Sequence, residues 1–544
     1  MNNQVSSFLG LLFFLMAACS IIIITVKIHK QNRVEATKSS NKNTVKPITR
    51  FIKKANNKYF SIGFAVLVIS ASILRLGIPL DFPARSISDE FWYIPQAMVI
   101  AHDRTNIIDD SFAFGHSAIE YTIPFIDRTP LWENLTYEEA QEIDSVEING
   151  LLFPTSRLMQ FGRFDHPPVG IFLIAGMMQF FDATDIAGGR MSSAVAGIIL
   201  VAAVMLITKL TTKSNLASYL AGFFMLIDGH AIIMSRLGML EILLTLFITL
   251  ATLTSISAYR LRSNSTDFKW RLLMHFMTSI FLSIAVGVKW QAGIWAIIIA
   301  IYIFYKEYKI TDKNKLLHSI LTPVFIGISS LVFYIIPWYF TFINRGNFLK
   351  DLIDYHIFIW RVMINMGNTY PEFTLNSEVI ISFPWSWIVQ QSQFNLLIHD
   401  PNESVAVLRV HGNYIIWMLG FIAVSLLALI LIAKILMKLQ KLNLKKQLKI
   451  LVNSVPEETL LFIFMFLAGI LPWFFLGRGE PWMFINIHVL PWLAILLTIL
   501  LRSFMKIIKN NTIKITLFIT FILVALVPTV IFFENWALIP TILY

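Results

Sequence analysis

The stretch YFSIGFAVLVISASILRLGIPL, Tyr59 to Leu80, decides how this chain is read. It has the length and apolarity of a helix that crosses a bilayer. Lys27, Lys53, Lys54 and Lys58 precede it. Positive residues beside a span mark the cytoplasmic side, so the chain runs outward here. Ser88-Asp-Glu-Phe-Trp-Tyr93 then lands at the outer membrane surface. Two carboxylates flanked by aromatics at a lipid–water boundary suit a reaction between a lipid-borne substrate and something outside the cell. The competing reading is a solvated loop with ordinary surface acids.

The rest of the chain extends the pattern. Of 544 residues, 56% are hydrophobic and 14% charged, with mean hydropathy +0.68, the profile of a polytopic membrane protein. The net charge of +11 lies in short loops between apolar runs, so it reports topology and attraction to anionic lipid, not nucleic-acid binding. The single cysteine, Cys19, excludes an intramolecular disulfide. It falls inside residues 7–26, which read as an uncleaved extra span.

Apolar runs fall near 60–80, 190–209, 216–233, 237–258, 273–289, 291–306, 318–343, 412–436, 458–476, 483–503 and 513–534. The basic loops 209–213, 259–271, 306–315, 438–449 and 506–514 all lie inside only if 166–182 does not cross. That segment is short, opens with His166-Pro-Pro and reads as an interfacial or re-entrant helix. The expected fold is all-α and polytopic, with about eleven core spans, one extra N-terminal span and juxtamembrane helices at the outer face. Its expected divisions are an N-terminal span and basic linker (1–58), a catalytic membrane domain (59–504) and a C-terminal span (505–544). Segments 81–189 and 344–411 are the large outer loops of that domain.

Ionisable groups gather on the outer side. Asp228, His230, Arg236 and Glu241 sit at the ends of two spans, where charges need partners. They make either a structural Arg–carboxylate pair or part of a site. Lys289 and Trp290 fall at an outer hairpin, where the lysine either meets an anion or snorkels to the interface. Arg478 stands among aromatics in a further outer turn. His166 either orients a substrate or caps the helix that follows. Several cations facing a carboxylate pair suit a phosphorylated lipid whose phosphate leaves as an anion.

In this order the motifs resemble those of the bacterial protein O-mannosyltransferases, membrane glycosyltransferases of the GT-C class. The resemblance rests on Asp89-Glu90 with Tyr93 and Gln96, His166-Pro-Pro-Val-Gly170, Gly189-Arg190 through Gly197, and Asp228-Gly-His230 with Ser235-Arg236. It continues through Gly287-Val-Lys-Trp290, Pro384-Trp385-Ser-Trp387, Gly412-Asn413 with Trp417, and Pro472-Trp473 with Arg478. The chain departs from the family pattern at Ile171, where Lys is usual, and at Glu241, where Asp is usual. It departs again at Asn368-Thr-Tyr-Pro371, in place of His-Pro-Tyr.

The resemblance implies inverting transfer of mannose from a polyprenyl-phosphate donor to Ser or Thr hydroxyls of exported proteins, at the outer face of the cell membrane. It gives the base role to Asp89. Adjacent helical residues do not share a face, so Glu90 is assigned to positioning the acceptor or orienting a basic group. Arg236, Lys289 and Arg478 are the candidate phosphate ligands, and Tyr93, His166, Asp228, His230, Trp290 and Trp385 the substrate-positioning residues. The sequence requires no cofactor beyond the donor substrate, shows no clear metal-ligand spacing and leaves a divalent metal open. The secretion machinery is a further candidate partner. The rival readings are a GT-C transferase of another sugar, of the aminoarabinose or arabinose type, and a lipid or solute transporter. The chain shows no internal repeat, which disfavours transport.

Overall fold

A computed structural model describes residues 2–40, 47–80, 90–102, 146–148, 151–153, 166–183, 185–261, 268–310, 314–342, 347–369, 374–375, 378–379, 394–399, 405–439, 446–475 and 483–536. The apolar runs named above fall on helices, but 216–233 is broken at Asp228, 458–476 at Leu471, and 483–503 opens on a 3₁₀ turn. Among the described residues eight helices are long and apolar enough to cross a bilayer, or nine if one bent pair is counted, fewer than the spans expected from the sequence. The first half comprises α1 (Asn2–Ser40), α2 (Pro47–Leu76), α3 (Glu90–His102), α4 (Val169–Phe180), α5 (Ile186–Thr212), α6 (Asn215–Ile227), α7 (Gly229–Met234) and α8 (Leu240–Arg260). Then follow α9 (Phe268–Val288), α10 (Ala292–Ile310), α11 (Lys315–Phe342), α12 (Phe348–Thr369), α13 (Tyr414–Lys438), α14 (Lys446–Ser454) and α15 (Thr459–Ile470). The series closes with α16 (Pro472–Phe475), a 3₁₀ turn (Met483–His488), α17 (Leu490–Met505) and α18 (Asn511–Trp536). Three two-stranded antiparallel hairpins, between 146 and 153, 374 and 379, and 394 and 410, lie in the two segments expected outside.

Helix α8 is the centre of the bundle, with every residue from Leu240 to Tyr259 buried. Its hydroxyls turn back onto the helix: Thr245, Thr249, Thr252 and Ser255 donate to the carbonyls four residues earlier, at 2.7–2.9 Å. That satisfies polar groups where no water reaches them. Helices α11 and α18 lie at the rim and show apolar side chains outward, among them Leu331, Val530 and Ile531, as a lipid-facing surface requires.

Contacts sort the helix ends into two faces. On one, Lys27 lies over Trp270, His29 bonds Ser61 at 2.7 Å, Lys209 lies over Phe60, and Arg260 and Lys306 reach Glu458. This is the basic-loop face. On the opposite face, Arg190 meets Leu80 and Glu90, Asn413 meets Asp228, and Gln291 meets His488. Helix α2 therefore leaves the basic-loop face near residue 60 and arrives at the opposite face by residue 80. Helix α5 begins there at Arg190 and returns.

The chain thus enters and leaves segment 81–189 on the same face, as the charge pattern requires. Helix α4 has 12 residues, about 18 Å of helix against a hydrocarbon core of about 30 Å, and is too short to cross. Its surroundings differ from expectation. It does not rest on a lipid interface; ten of its residues are buried. Helix α1 covers it at a backbone-to-backbone approach, where a Cβ on Gly10 would strike the Phe172 carbonyl and one on Gly176 would strike the Leu11 amide. Ser7 bonds the Ile100 carbonyl at 3.3 Å, tying α1 to α3 as well. The extra N-terminal span is thus an integral part of the bundle. Apolar composition alone does not separate a helix facing lipid from one facing another helix.

Candidate active site

Helix α3 begins at Glu90, directly after Asp89, which lies outside the described residues together with Trp385 and Arg478. The Glu90 carboxylate is fully buried and takes both prongs of the Arg190 guanidinium, Nε and Nη2, at 2.8 Å each. The remaining Arg190 nitrogen, Nη1, donates to the Leu80 carbonyl at 2.9 Å. The Gly238 amide donates to Glu90 Oε1. One arginine therefore joins the end of α2, the start of α3 and the loop before α8. Such a pair resists removal of one partner, because the other is then left charged in a dry interior. The sequence places Arg190 where it can reach. Asp185 caps α5 on the Gly188 amide at 2.9 Å, and Gly189 lets α3 approach so closely that a Cβ there would strike Ile94. The geometry holds residue 90 in one place on this face.

Tyr93 and His166 come together here, ring centroids 6.4 Å apart, although 73 positions separate them in sequence. Tyr93 is buried and His166 partly exposed.

The cations divide. Lys289 forms an ion pair with Glu241 at the first turn of α8. The second Glu241 oxygen, Oε2, has no hydrogen-bond partner. Arg236 turns inward and donates through Nη1 to the Arg75 and Ile78 carbonyls, at 3.2 and 3.1 Å, and through Nη2 to that of Pro79 at 2.6 Å. A guanidinium on the exposed carbonyls of a helix C-terminus satisfies both the orphan acceptors and the helix dipole. Its terminal nitrogens are therefore occupied by the end of α2.

Asp228 and His230 also have structural partners. Asp228 is buried, caps α7 on the Ala231 amide at 3.1 Å, and accepts from the Asn413 amide at 2.8 Å and Trp417 Nε1 at 3.0 Å. His230 stacks on the Trp417 ring at 6.2 Å. These contacts tie the α6–α7 turn to the start of α13. Gly412 permits them, since a Cβ there would meet Trp417 Nε1.

Trp290 donates from Nε1 to Tyr334 Oη at 2.9 Å. With that oxygen accepting, the tyrosine hydrogen goes to His356 Nε2 at 2.9 Å, and His356 Nδ1 donates to the Leu352 carbonyl at 2.7 Å. The relay holds the imidazole neutral, and burial lowers its pKa below the ordinary value. Trp290 also stacks on the His356 ring at 5.4 Å. The relay pins α12, at the start of the second large loop, against the turn that carries Lys289.

Several site-adjacent groups carried no recognisable sequence signal. His488 joins Thr245 Oγ1 and Gln291 Nε2 at 2.7 Å each. Asn486, on the same 3₁₀ turn, is fully buried with neither amide atom hydrogen-bonded. Tyr334 and His356 read as ordinary span and loop residues. Arg190 lies within a quoted motif, yet nothing local identifies its partner. Among the described residues no group of three or more His, Cys, Asp or Glu could hold a metal ion.

Comparison with known proteins places this arrangement. Residues 162–346 match the family model described as dolichyl-phosphate-mannose-protein mannosyltransferase. A polyprenol-phosphate-mannose–protein mannosyltransferase of Corynebacterium glutamicum is 30% identical over 149 residues, 24% of this chain and 28% of that protein. One from Mycolicibacterium smegmatis is 36% identical over 87 residues, 16% of this chain and 17% of the relative. The alignments thus span less than a third of these relatives. Over most of its length the fold is similar to the Saccharomyces cerevisiae protein O-mannosyltransferase Pmt1–Pmt2 complex bound to the sugar donor. The TM-score is 0.67 at 10% identity, covering 89% of this chain and 91% of that one. The chain shares the fold of that membrane protein, and its resemblance to the protein mannosyltransferases extends over residues 162–346.

Proposed function

We propose that this chain, a multi-pass membrane protein with the mannosyltransferase match over residues 162–346, transfers mannose from a polyprenyl-phosphate donor to Ser or Thr hydroxyls of exported proteins, with inversion. The site lies on the face opposite the basic loops, which is the extracytoplasmic face of the cell membrane by the positive-inside rule. The observation that supports the reading is the buried Glu90–Arg190 pair, which fixes residue 90, the sequence neighbour of Asp89.

A hydroxyl is a poor nucleophile at neutral pH. Asp89 takes its proton as the bond to the anomeric carbon forms, an assistance worth about 10²–10⁴-fold. Single displacement needs one such base, on the side away from the leaving phosphate. Glu90 is a positioning residue, held by Arg190. Lys289 and Arg478 serve the departing phosphate; Arg236 acts one step away, holding the end of α2 from which Asp89 follows. Tyr93 and His166, side by side, line the acceptor approach. Asp228 and His230 support that face from beneath, Trp290 flanks it, and Trp385 is assigned to substrate positioning on the motif alone.

The test is transfer to a Ser/Thr peptide by the purified full chain, with polyprenyl-phosphate donors carrying mannose, glucose or aminoarabinose. Mannose transfer that falls at least a hundredfold in Asp89→Asn, with donor binding retained, is the expected result. Transfer of another sugar in its place overturns the donor assignment, and activity within tenfold of the parent removes Asp89 as the base.

A further inference from the structure

We propose that the cleft between α14 and the end of α17, on the basic-loop face, binds the headgroup of an anionic phospholipid, with Lys449 and Lys506 on its phosphate. The cleft has a volume of about 430 Å³ and is lined by Lys449, Ile450, Asn453, Ser454 and Lys506. It lies across the molecule from the candidate active site.

The charge balance around it is one-sided. The neighbouring carboxylates, Glu457 and Glu458, are already engaged by Lys306, Lys309 and Arg260. Lys449 and Lys506 make no ion pair among the described residues. Arg502, one turn before Lys506, donates to the Ser454 carbonyl at 3.3 Å, and Lys434 to that of Val455 at 2.9 Å. Four cations thus converge on the α14–α15 bend; Glu457 and Glu458 act on Lys434 from nearby, and among the described residues neither Lys449 nor Lys506 has a carboxylate partner. Lys506 feels the imbalance: burial, then the nearby Arg502 charge, lowers its pKa. A phosphodiester supplies the missing negative charge.

The apolar surroundings select a lipid over a free anion. Lys506 directly follows the apolar α17, which puts it at headgroup depth. Ile450 is exposed in the cleft wall, and Leu448 and Phe504 are exposed on the same two helices. An inorganic anion gains nothing from such a wall, whereas acyl chains cover it. Basic pockets between spans on the cytoplasmic side are a recurrent form of phospholipid recognition.

The experiment uses the full chain purified in neutral detergent and titrated with phosphatidylglycerol, phosphatidylcholine or inorganic phosphate. Binding is read from melting temperature and from lipid retained in native mass spectra. Phosphatidylglycerol should raise the melting temperature where the other two do not. Lys449→Gln/Lys506→Gln should weaken phosphatidylglycerol binding about 25-fold, at roughly fivefold for each basic residue. A control of equal charge, Lys269→Gln/Lys315→Gln, removes two exposed lysines elsewhere and should bind as the parent does. Equal loss in the control, or unchanged binding in the first double variant, overturns the site. Equal protection by inorganic phosphate overturns the lipid assignment.

Discussion

Among the described residues Glu90 pairs with Arg190 and Glu241 with Lys289, both on the face of the candidate active site. On the basic-loop face, Glu457 and Glu458 between them meet Lys306, Lys309 and Arg260. The first arrangement is enclosed: both side chains of the Glu90 pair are fully buried. The second is shared and graded: Glu457 is 40% exposed, whereas Glu458 is buried beneath Arg260 and Lys306. An enclosed, bidentate pair fixes position and has no substitute when one member is lost. The wet edge of a shared cluster, where Glu457 lies, helps hold helix ends together and loses little when that member is removed. The contrast separates a place where geometry is specified from one where adhesion suffices.

Breaking the enclosed pair should have the largest effect. Glu90→Gln leaves the Arg190 charge buried, and a loss of about 3–5 kcal/mol in stability is expected. The double change Glu90→Leu/Arg190→Leu should recover much of that in thermal unfolding, since no charge then remains buried. Transfer should stay lost in the double variant, because residue 90, next to the proposed base, is no longer held. Recovery of both would reduce the pair to a structural contact.

The shared cluster sharpens the contrast through pH. Burial alone would push the Glu457 carboxyl up, but Lys306 and Lys309 outweigh it and hold the pKa at about 2. The folded value lies below the unfolded one, so the contribution is present above about pH 4.5 and disappears as pH falls toward 2. Water screens this half-exposed pair, which limits its worth to about 1 kcal/mol or less. Glu457→Gln should flatten the acid limb of a stability–pH curve by that small amount, more visibly at low salt. A loss as large as that of Glu90→Gln would erase the distinction between the two faces.

The smallest effect belongs to the relay near Lys289. Burial lowers the His356 pKa, so the fold favours the neutral ring. Its contribution is complete above the ordinary histidine value of 6.5 and declines as pH falls below it. His356→Gln should remove that decline. Tryptophan fluorescence between pH 5 and 8 follows it, because Trp290 and Trp338 both contact the ring.

Much of this protein is legible from one sequence. The spans follow from apolar run length, and the two faces from the placement of lysine and arginine. The shortness of 166–182 and the sidedness of Lys209 and Lys213 argue that it does not cross. The ordered motifs identify the class of chemistry. These are local properties, set within a few turns of helix. Partner choice is not local. Glu90 and Arg190 are 100 positions apart, and Glu241 and Lys289 are 48 apart. Arg236 has the look of an anion ligand in sequence, yet its terminal nitrogens bond the carbonyls that end α2. Helix α4 has the composition of a lipid-facing segment, yet α1 buries it through a contact between two glycines' backbones. A hydropathy pattern states that a surface avoids water, and a charge states that it needs a partner. Which helix or which ion answers depends on how the faces of distant spans meet, and the tertiary structure alone decides that.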